Sequence, residues 1–320
     1  MALTATGTTP PAETSTTRAV RTRPPRSSGW RGPSASQLFL VPIVAVFVVL
    51  FLIPLAQSVY WSFTDFTGYS ADVNFVGLAN YGTILRDPSM LAGLAFTLLF
   101  AVGTTLLVTV IAIPLAVLLN KHFAGRNFVR SALFFPAIPS MAVLGLVWSY
   151  ILSPIASGAL NTMLENLLGL GPVPWLSEDS LARMSVILVG VWGAAGWHAV
   201  LYLAYLQSIP ADLHEVATID GASALQQFRH ITLPMLTPGI IVSQFLLMTG
   251  GLKVFDLPYT LTKGGPGFAT YTITQSIITS GVGQGRYGLA SALAVLFTLA
   301  VAVLSIGQLI ISRRVERNIL

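Results

Sequence analysis

Apolar runs about twenty residues long recur along this chain, and they leave it few folds to choose from. Crossing a bilayer as a helix takes about 20 apolar residues. Runs of that order extend from Leu38 to Ala56, from about Met90 to Leu119, Phe128 to Leu152, Met184 to Leu206, Thr237 to Pro258 and Leu289 to Ile311. They predict an all-α membrane protein with six transmembrane helices. Pro114 marks a kink in the second span, Pro136 and Pro139 fall inside the third, and Gly250-Gly251 interrupts the fifth. Only 9% of the 320 residues are charged, against about 25% in a soluble domain.

The segments between the runs set the sidedness. Residues 1–36, rich in Thr, Pro, Ser and Arg, cannot build a core and predict a disordered tail. The basic start followed by an apolar run has the outline of a signal peptide. The run is long enough to span, however, and no small-residue cleavage site follows it, so an uncleaved first span is expected. Six spans place both termini on one side. The tail, the loop with Lys121, Arg126 and Arg130, Arg229 and the C-terminus hold twelve Lys and Arg there; Arg86, Arg183, Lys253, Lys263 and Arg286 make five on the other. The excess marks the first side as cytoplasmic in a plasma (inner) membrane. The net charge of +5 therefore reports topology, and no nucleic-acid partner is expected.

Little in the chain can do catalysis. There is no cysteine, which excludes disulfides, thiolate metal sites and cysteine nucleophiles. His122, His198, His214 and His230 lack metal-ligand spacing, and no phosphate-cradling GxxxxGK[ST] loop occurs. Neither catalytic residues nor a metal site are expected, and no cofactor bound by this chain. Inside the spans the notable residues are few. Lys253 and Asp256, three apart, can pair on one face or line a pathway. His198 reads as a hydrogen-bonded interior histidine or one member of a relay. Trp192 and Trp197 can stack on a sugar or pack against lipid and core. Gly250-Gly251 can break a helix beside a cavity or allow close helix packing.

One polar island stands out, Ile209 to Pro234. Pro210 and Asp212 suit the first turn of a helix, and Gly221 suits its end. Ser223 and Gln226 have capping-box spacing for a second short helix. Leu213, Val216, Ala217, Leu225 and Phe228 are the expected apolar anchors of this helix–turn–helix.

The island resembles the signature of permease subunits of binding-protein-dependent ABC importers, which carry Glu-Ala-Ala, three residues, Gly, nine residues, then Ile-x-Leu-Pro. Glu215, Ala217, Gly221, Ile231, Leu233 and Pro234 fall at those spacings, with Val216 in place of the first Ala. Gly77-Leu78-Ala79-Asn80-Tyr81 and the stretch from Phe255 to Pro266 are similar to segments of the carbohydrate-type branch, including its maltose, trehalose and glycerol-phosphate members. The resemblance covers roughly Leu38 to the C-terminus. It implies a transmembrane permease domain over residues 37–320 with a type I importer (MetI-like) core at about 90–311. It implies a cytoplasmic coupling loop at 209–234 in which Glu215, Ala217, Asp220, Gly221, Ala222, Leu233 and Pro234 meet the ATPase. The implied partners are a second homologous permease, two ATP-binding subunits using ATP-Mg, an extracytoplasmic solute-binding protein, membrane lipid and a sugar. An ungapped overlay on the maltose permease through the two motifs carries the sugar-contacting positions onto Trp192, Gly193, Ala194, Trp197, Leu247, Gly250, Gly251 and Val254. Two other readings stay open. One is an importer of glycerol-3-phosphate or another small solute. The other is an ion-coupled secondary transporter, which would require an internal repeat and more ionisable residues in the spans.

Overall fold

The computed structural model describes residues 39–70, 72–155 and 158–319; the tail expected over 1–36 lies outside them. The chain divides into two compact units, residues 1–52 and 53–320. Of the first, the described part is the opening half of helix α1 (Leu40–Trp61), in which no residue is buried. The second unit holds the remaining helices. After a short helix α2 (Ala79–Ile84) comes α3 (Pro88–Asn120), then α4 (Arg126–Phe134), α5 (Met141–Ile151), α6 (Ala159–Leu168) and α7 (Asp179–Leu206). The polar island forms α8 (Ala211–Ile219) and α9 (Ala224–Gln227). Then follow α10 (Leu233–Leu252), α11 (Asp256–Thr262), α12 (Ile273–Ile278) and α13 (Tyr287–Ile319).

Five of these helices, or helix pairs run together, are long and apolar enough to cross a membrane; the expected third span differs. Arg126–Ala137 and Met141–Ile151 meet at 94°. Pro136 and Pro139 remove two backbone donors at this point, and a residue before proline is pushed out of the helical region. Ser140 then caps α5, its hydroxyl accepting from the Val143 N–H. The fifth span departs in a second way. α10 runs unbroken through Gly250 and Gly251 and stops at Lys253. The breaker is Pro258, whose ring would collide with the Val254 carbonyl in a continuing helix. The chain instead restarts at Asp256, with Pro258 in the first turn of α11.

The core is α3 packed on α7, with α10 across both. On α3 the buried residues Phe96, Phe100, Thr104, Val108, Ala112 and Ala116 recur every fourth position, the row that ridges-into-grooves packing uses. Lipid gives apolar side chains no reason to leave it, so helices associate through close contact. Small residues provide that contact. A β-carbon on Gly196 would lie 1.7 Å from the Leu133 carbonyl oxygen, and one on Gly251 would lie 2.7 Å from Cα of Ala101. Some buried hydroxyls donate within their own helix: Thr97 and Thr105 donate to the carbonyls of Gly93 and Ala101, each at 2.7 Å.

The loops that follow α1 and α5 are tied down by amides. Nδ2 of Asn80 donates to the carbonyls of Ser62 and Thr64 at 3.0 and 2.9 Å, and the Tyr81 hydroxyl donates to Ser62 Oγ at 2.8 Å. The Gly77–Tyr81 segment thus clamps the chain leaving α1. Asn161 does the same for the second loop, its Oδ1 accepting from Trp175 Nε1 at 2.9 Å. Asp87 caps α3, and its hydrogen bonds from the Ser89 hydroxyl and from the Ser89 and Met90 N–H groups hold its carboxyl below the usual range.

Candidate functional site

Two features stand at different depths of the helix bundle. The first is a cavity of about 290 Å³ between α3, α5, α7, α10 and α11. α7 contributes Gly190, Ala194 and His198, one residue per turn along one stripe. α10 contributes Leu246, Leu247, Gly250 and Gly251, and the break beyond it contributes Val254. Of the positions named from sequence, Ala194, Leu247, Gly250, Gly251 and Val254 are thus brought together on this wall.

The two glycines of α10 do different things. Gly251 lets α10 touch α3 at Ala101, whereas a β-carbon on Gly250 would meet nothing within 4 Å. The close-packing reading holds for Gly251; Gly250 lines the cavity, but the helix expected to break there does not. The other three positions lie outside the lining. Gly193 packs against α5, where a β-carbon would sit 3.1 Å from Leu144 Cδ1. Trp192 and Trp197, five residues apart, stand about 140° apart around a helix. Trp192 is 43% exposed, meets Trp148 edge-on at 5.3 Å, and lines a separate apolar pocket. Trp197 lies edge-on to the His198 ring at 4.7 Å. Lys253 and Asp256 are exposed and form no ion pair among the described residues.

Sequence reasoning did not assign Phe100, Thr104 and Met141 to the cavity, because they come from α3 and α5, far away along the chain. His198 was singled out, and its interior hydrogen bond is there: Nδ1 lies 2.8 Å from Ser243 Oγ.

The second feature is the hairpin α8–α9, below the ends of α3 and α7. Pro210 is the N-cap of α8 rather than its first residue, and Asp212 sits in the first turn. The C-terminus of α8 is a Schellman turn. Ala222 N–H reaches the Ala217 carbonyl at 2.9 Å and Gly221 N–H reaches the Thr218 carbonyl at 3.1 Å. Asp220 is the C-cap, and Gly221 takes φ +79°, which a β-carbon would resist. Ala217, Asp220, Gly221 and Ala222 therefore form one turn. Ser223 and Gln226 complete a capping box on α9. Gln227 knots the hairpin: Nε2 donates to Thr218 Oγ1 and to the Ala222 carbonyl, both at 3.1 Å.

The hairpin joins α10 through a π turn, Phe228–Thr232, where Leu233 N–H reaches back five residues to the Phe228 carbonyl. Pro234, which follows, has no N–H to offer the His230 carbonyl, and the wider turn falls at this gap. Leu233 and Pro234 open α10. Of the expected anchors, Phe228 packs on the core and Ala217 is half-buried. Leu213, Val216 and Leu225 instead face outward at 41, 56 and 74% exposure, joined by Ile219 at 85%. The hairpin is too short to bury both faces, and its backbone turns, not its apolar side chains, hold it together. Glu215 is exposed on α8 with no partner among the described residues.

Residues 109–317 match the family of binding-protein-dependent transport system inner membrane components. The chain belongs to this family. It is 32% identical over 279 residues, 87% of this chain and 94% of the relative, to the probable starch degradation products transport system permease protein AmyD of Thermoanaerobacterium thermosulfurigenes. It is 32% identical over 285 residues, 89 and 95% of the two chains, to the trehalose/maltose transport system permease protein MalF of Thermococcus litoralis. The fold matches a chain of the bacterial alginate ABC transporter solved with alginate pentasaccharide-bound periplasmic protein, with a TM-score of 0.76 and 25% identity over 87% of this chain and 94% of that one. This chain is accordingly a multi-pass inner-membrane permease subunit of an ABC importer. It is not itself catalytic, and it works with a binding protein and an ATPase.

Proposed function

We propose that this permease forms half of the translocation pathway for a sugar, an oligosaccharide in the first instance, and that the hairpin α8–α9 docks on the ATPase. The observation that carries the reading is the pairing of an outward-facing apolar hairpin with a cavity on the helix it feeds. α9 continues through the π turn into α10, so a push on the hairpin reaches Leu247, Gly250 and Gly251 along one helix. The starch-product, trehalose/maltose and alginate transporters among its relatives supply the substrate class.

The complete importer would hold a second, homologous permease, two ATPase subunits that use ATP-Mg, and an extracytoplasmic binding protein. A second permease would complete the cavity. Both termini and the hairpin face the cytoplasm, in keeping with twelve of seventeen Lys and Arg on that side. Transport is by alternating access. ATP and the loaded binding protein must each favour the outward-open state, since a ligand with equal affinity for both states shifts nothing. Glu215, exposed and without a partner among the described residues, would meet the ATPase; Trp197, next to the cavity residue His198, would meet sugar from the side of the second permease.

Purification from native membranes in mild detergent tests this, followed by reconstitution with the co-purifying subunits and uptake of labelled maltotriose, trehalose and an alginate oligosaccharide. The expected result is an ATPase and a second permease in the complex and ATP-dependent uptake of a sugar. Uptake by the chain alone under an ion gradient, without ATP, would overturn it.

A further inference from the structure

The cavity is lined almost wholly by apolar groups and glycine, and its two polar side chains are unequal. The Thr104 hydroxyl already donates to the Phe100 carbonyl at 2.6 Å. His198 differs. Its Nδ1 meets Ser243 Oγ at 2.8 Å, and Ser243 Oγ in turn accepts from the Tyr202 hydroxyl at 2.8 Å. With Tyr202 donating, the Ser243 proton needs an acceptor, and Nδ1 is within reach. That polarises the chain in one direction, Tyr202 to Ser243 to His198, and places the imidazole proton on Nε2. Among the described residues Nε2 has no hydrogen-bond partner. His198 lines the cavity, and Nε2 is the ring nitrogen left to meet a ligand there.

Resting on the sugar-permease reading above, we propose that His198 is a substrate contact: its Nε2–H donates to a sugar hydroxyl, and Tyr202 and Ser243 hold it in that tautomer. Thr104 Oγ, with lone pairs to spare, accepts from a neighbouring hydroxyl. Ser243 and Tyr202 are positioning residues that touch no sugar. The network also fixes where the cavity ends. His198 and Tyr202 lie toward the α8 end of α7, and Ser243, at the middle of α10, precedes the lining residues Leu246 to Gly251, so the relay is the floor on the hairpin side.

The test uses the full importer in proteoliposomes, with assembly read by co-purification of the ATPase subunit. The probe is whichever of labelled maltotriose, trehalose or alginate oligosaccharide the wild type imports. His198→Phe keeps an aromatic ring and loses the donor; His198→Gln restores an N–H. Loss of one hydrogen bond to a desolvated hydroxyl is worth about tenfold. The expected result is about a tenfold fall in uptake for H198F, recovery of at least half the rate in H198Q, and a smaller fall for Ser243→Ala, which frees the tautomer. Wild-type uptake by H198F, or equal losses in H198F and H198Q, would overturn the contact and leave the sugar reading standing. Import of none of the three sugars by the wild type would overturn the sugar reading itself, and the contact with it.

Discussion

Gly250 and Gly251 are neighbours with opposite obligations. Gly251 has Ala101 Cα where its β-carbon would be, at 2.7 Å, and Gly250 has open space. Gly251→Leu should force α10 off α3 and sharply reduce the folded protein recovered in detergent, since overpacking costs about 1–3 kcal/mol or more. Gly250→Leu should fold and assemble normally but fill the cavity and block uptake. Size-exclusion chromatography and uptake together check both; normal folding of the Gly251 variant would contradict the packing. Two adjacent glycines in an apolar run announce themselves in the sequence. Which one meets a helix and which one meets a cavity depends on α3, whose approach no local pattern encodes. The same limit separates Ala194, which lines the cavity, from Trp192, which faces Trp148.

At the scale of elements, the hairpin was the most legible part. Gly221, Ser223 and Gln226 act through neighbours within a few residues, so their spacing reveals the turn and the caps. The Gln227 knot was not legible, because its partners Thr218 and Ala222 are fixed only after the turn closes. Gln227→Ala should leave the spans intact and loosen the hairpin, with faster amide exchange over residues 211–227 and weaker retention of the ATPase on purification. Unchanged exchange would show that the Schellman turn suffices. The spans themselves were found by length and hydropathy, while their breaks were partly misplaced. Prolines set those breaks, at Pro136 and Pro139 with a 94° bend and at Pro258 beyond α10. A glycine pair leaves every backbone donor in place, so α10 ran through it.

On the whole-molecule scale, much apolar surface stays uncovered. α1 buries no residue, and α13 exposes Leu299, Val303, Ile306 and Ile310. A bilayer accounts for such faces along the spans. It does not account for Leu213, Val216, Ile219 and Leu225 on the hairpin, where Glu215 and Asp220 stand beside them. A patch that mixes apolar and acidic groups at a helical turn suits a soluble protein partner better than lipid, and the ATPase of the importer is the partner proposed for it. The absence of cysteine from all 320 residues makes the decisive measurement clean. Ile219→Cys in the assembled importer, in native membranes, is treated with a thiol-to-amine cross-linker, with Leu107→Cys on the exposed face of α3 as the control. The account predicts one cross-linked product from Ile219→Cys, identified by mass spectrometry as this permease joined to an ATP-binding subunit, and none from Leu107→Cys. A transporting importer in which Ile219→Cys reaches no ATP-binding subunit would contradict it.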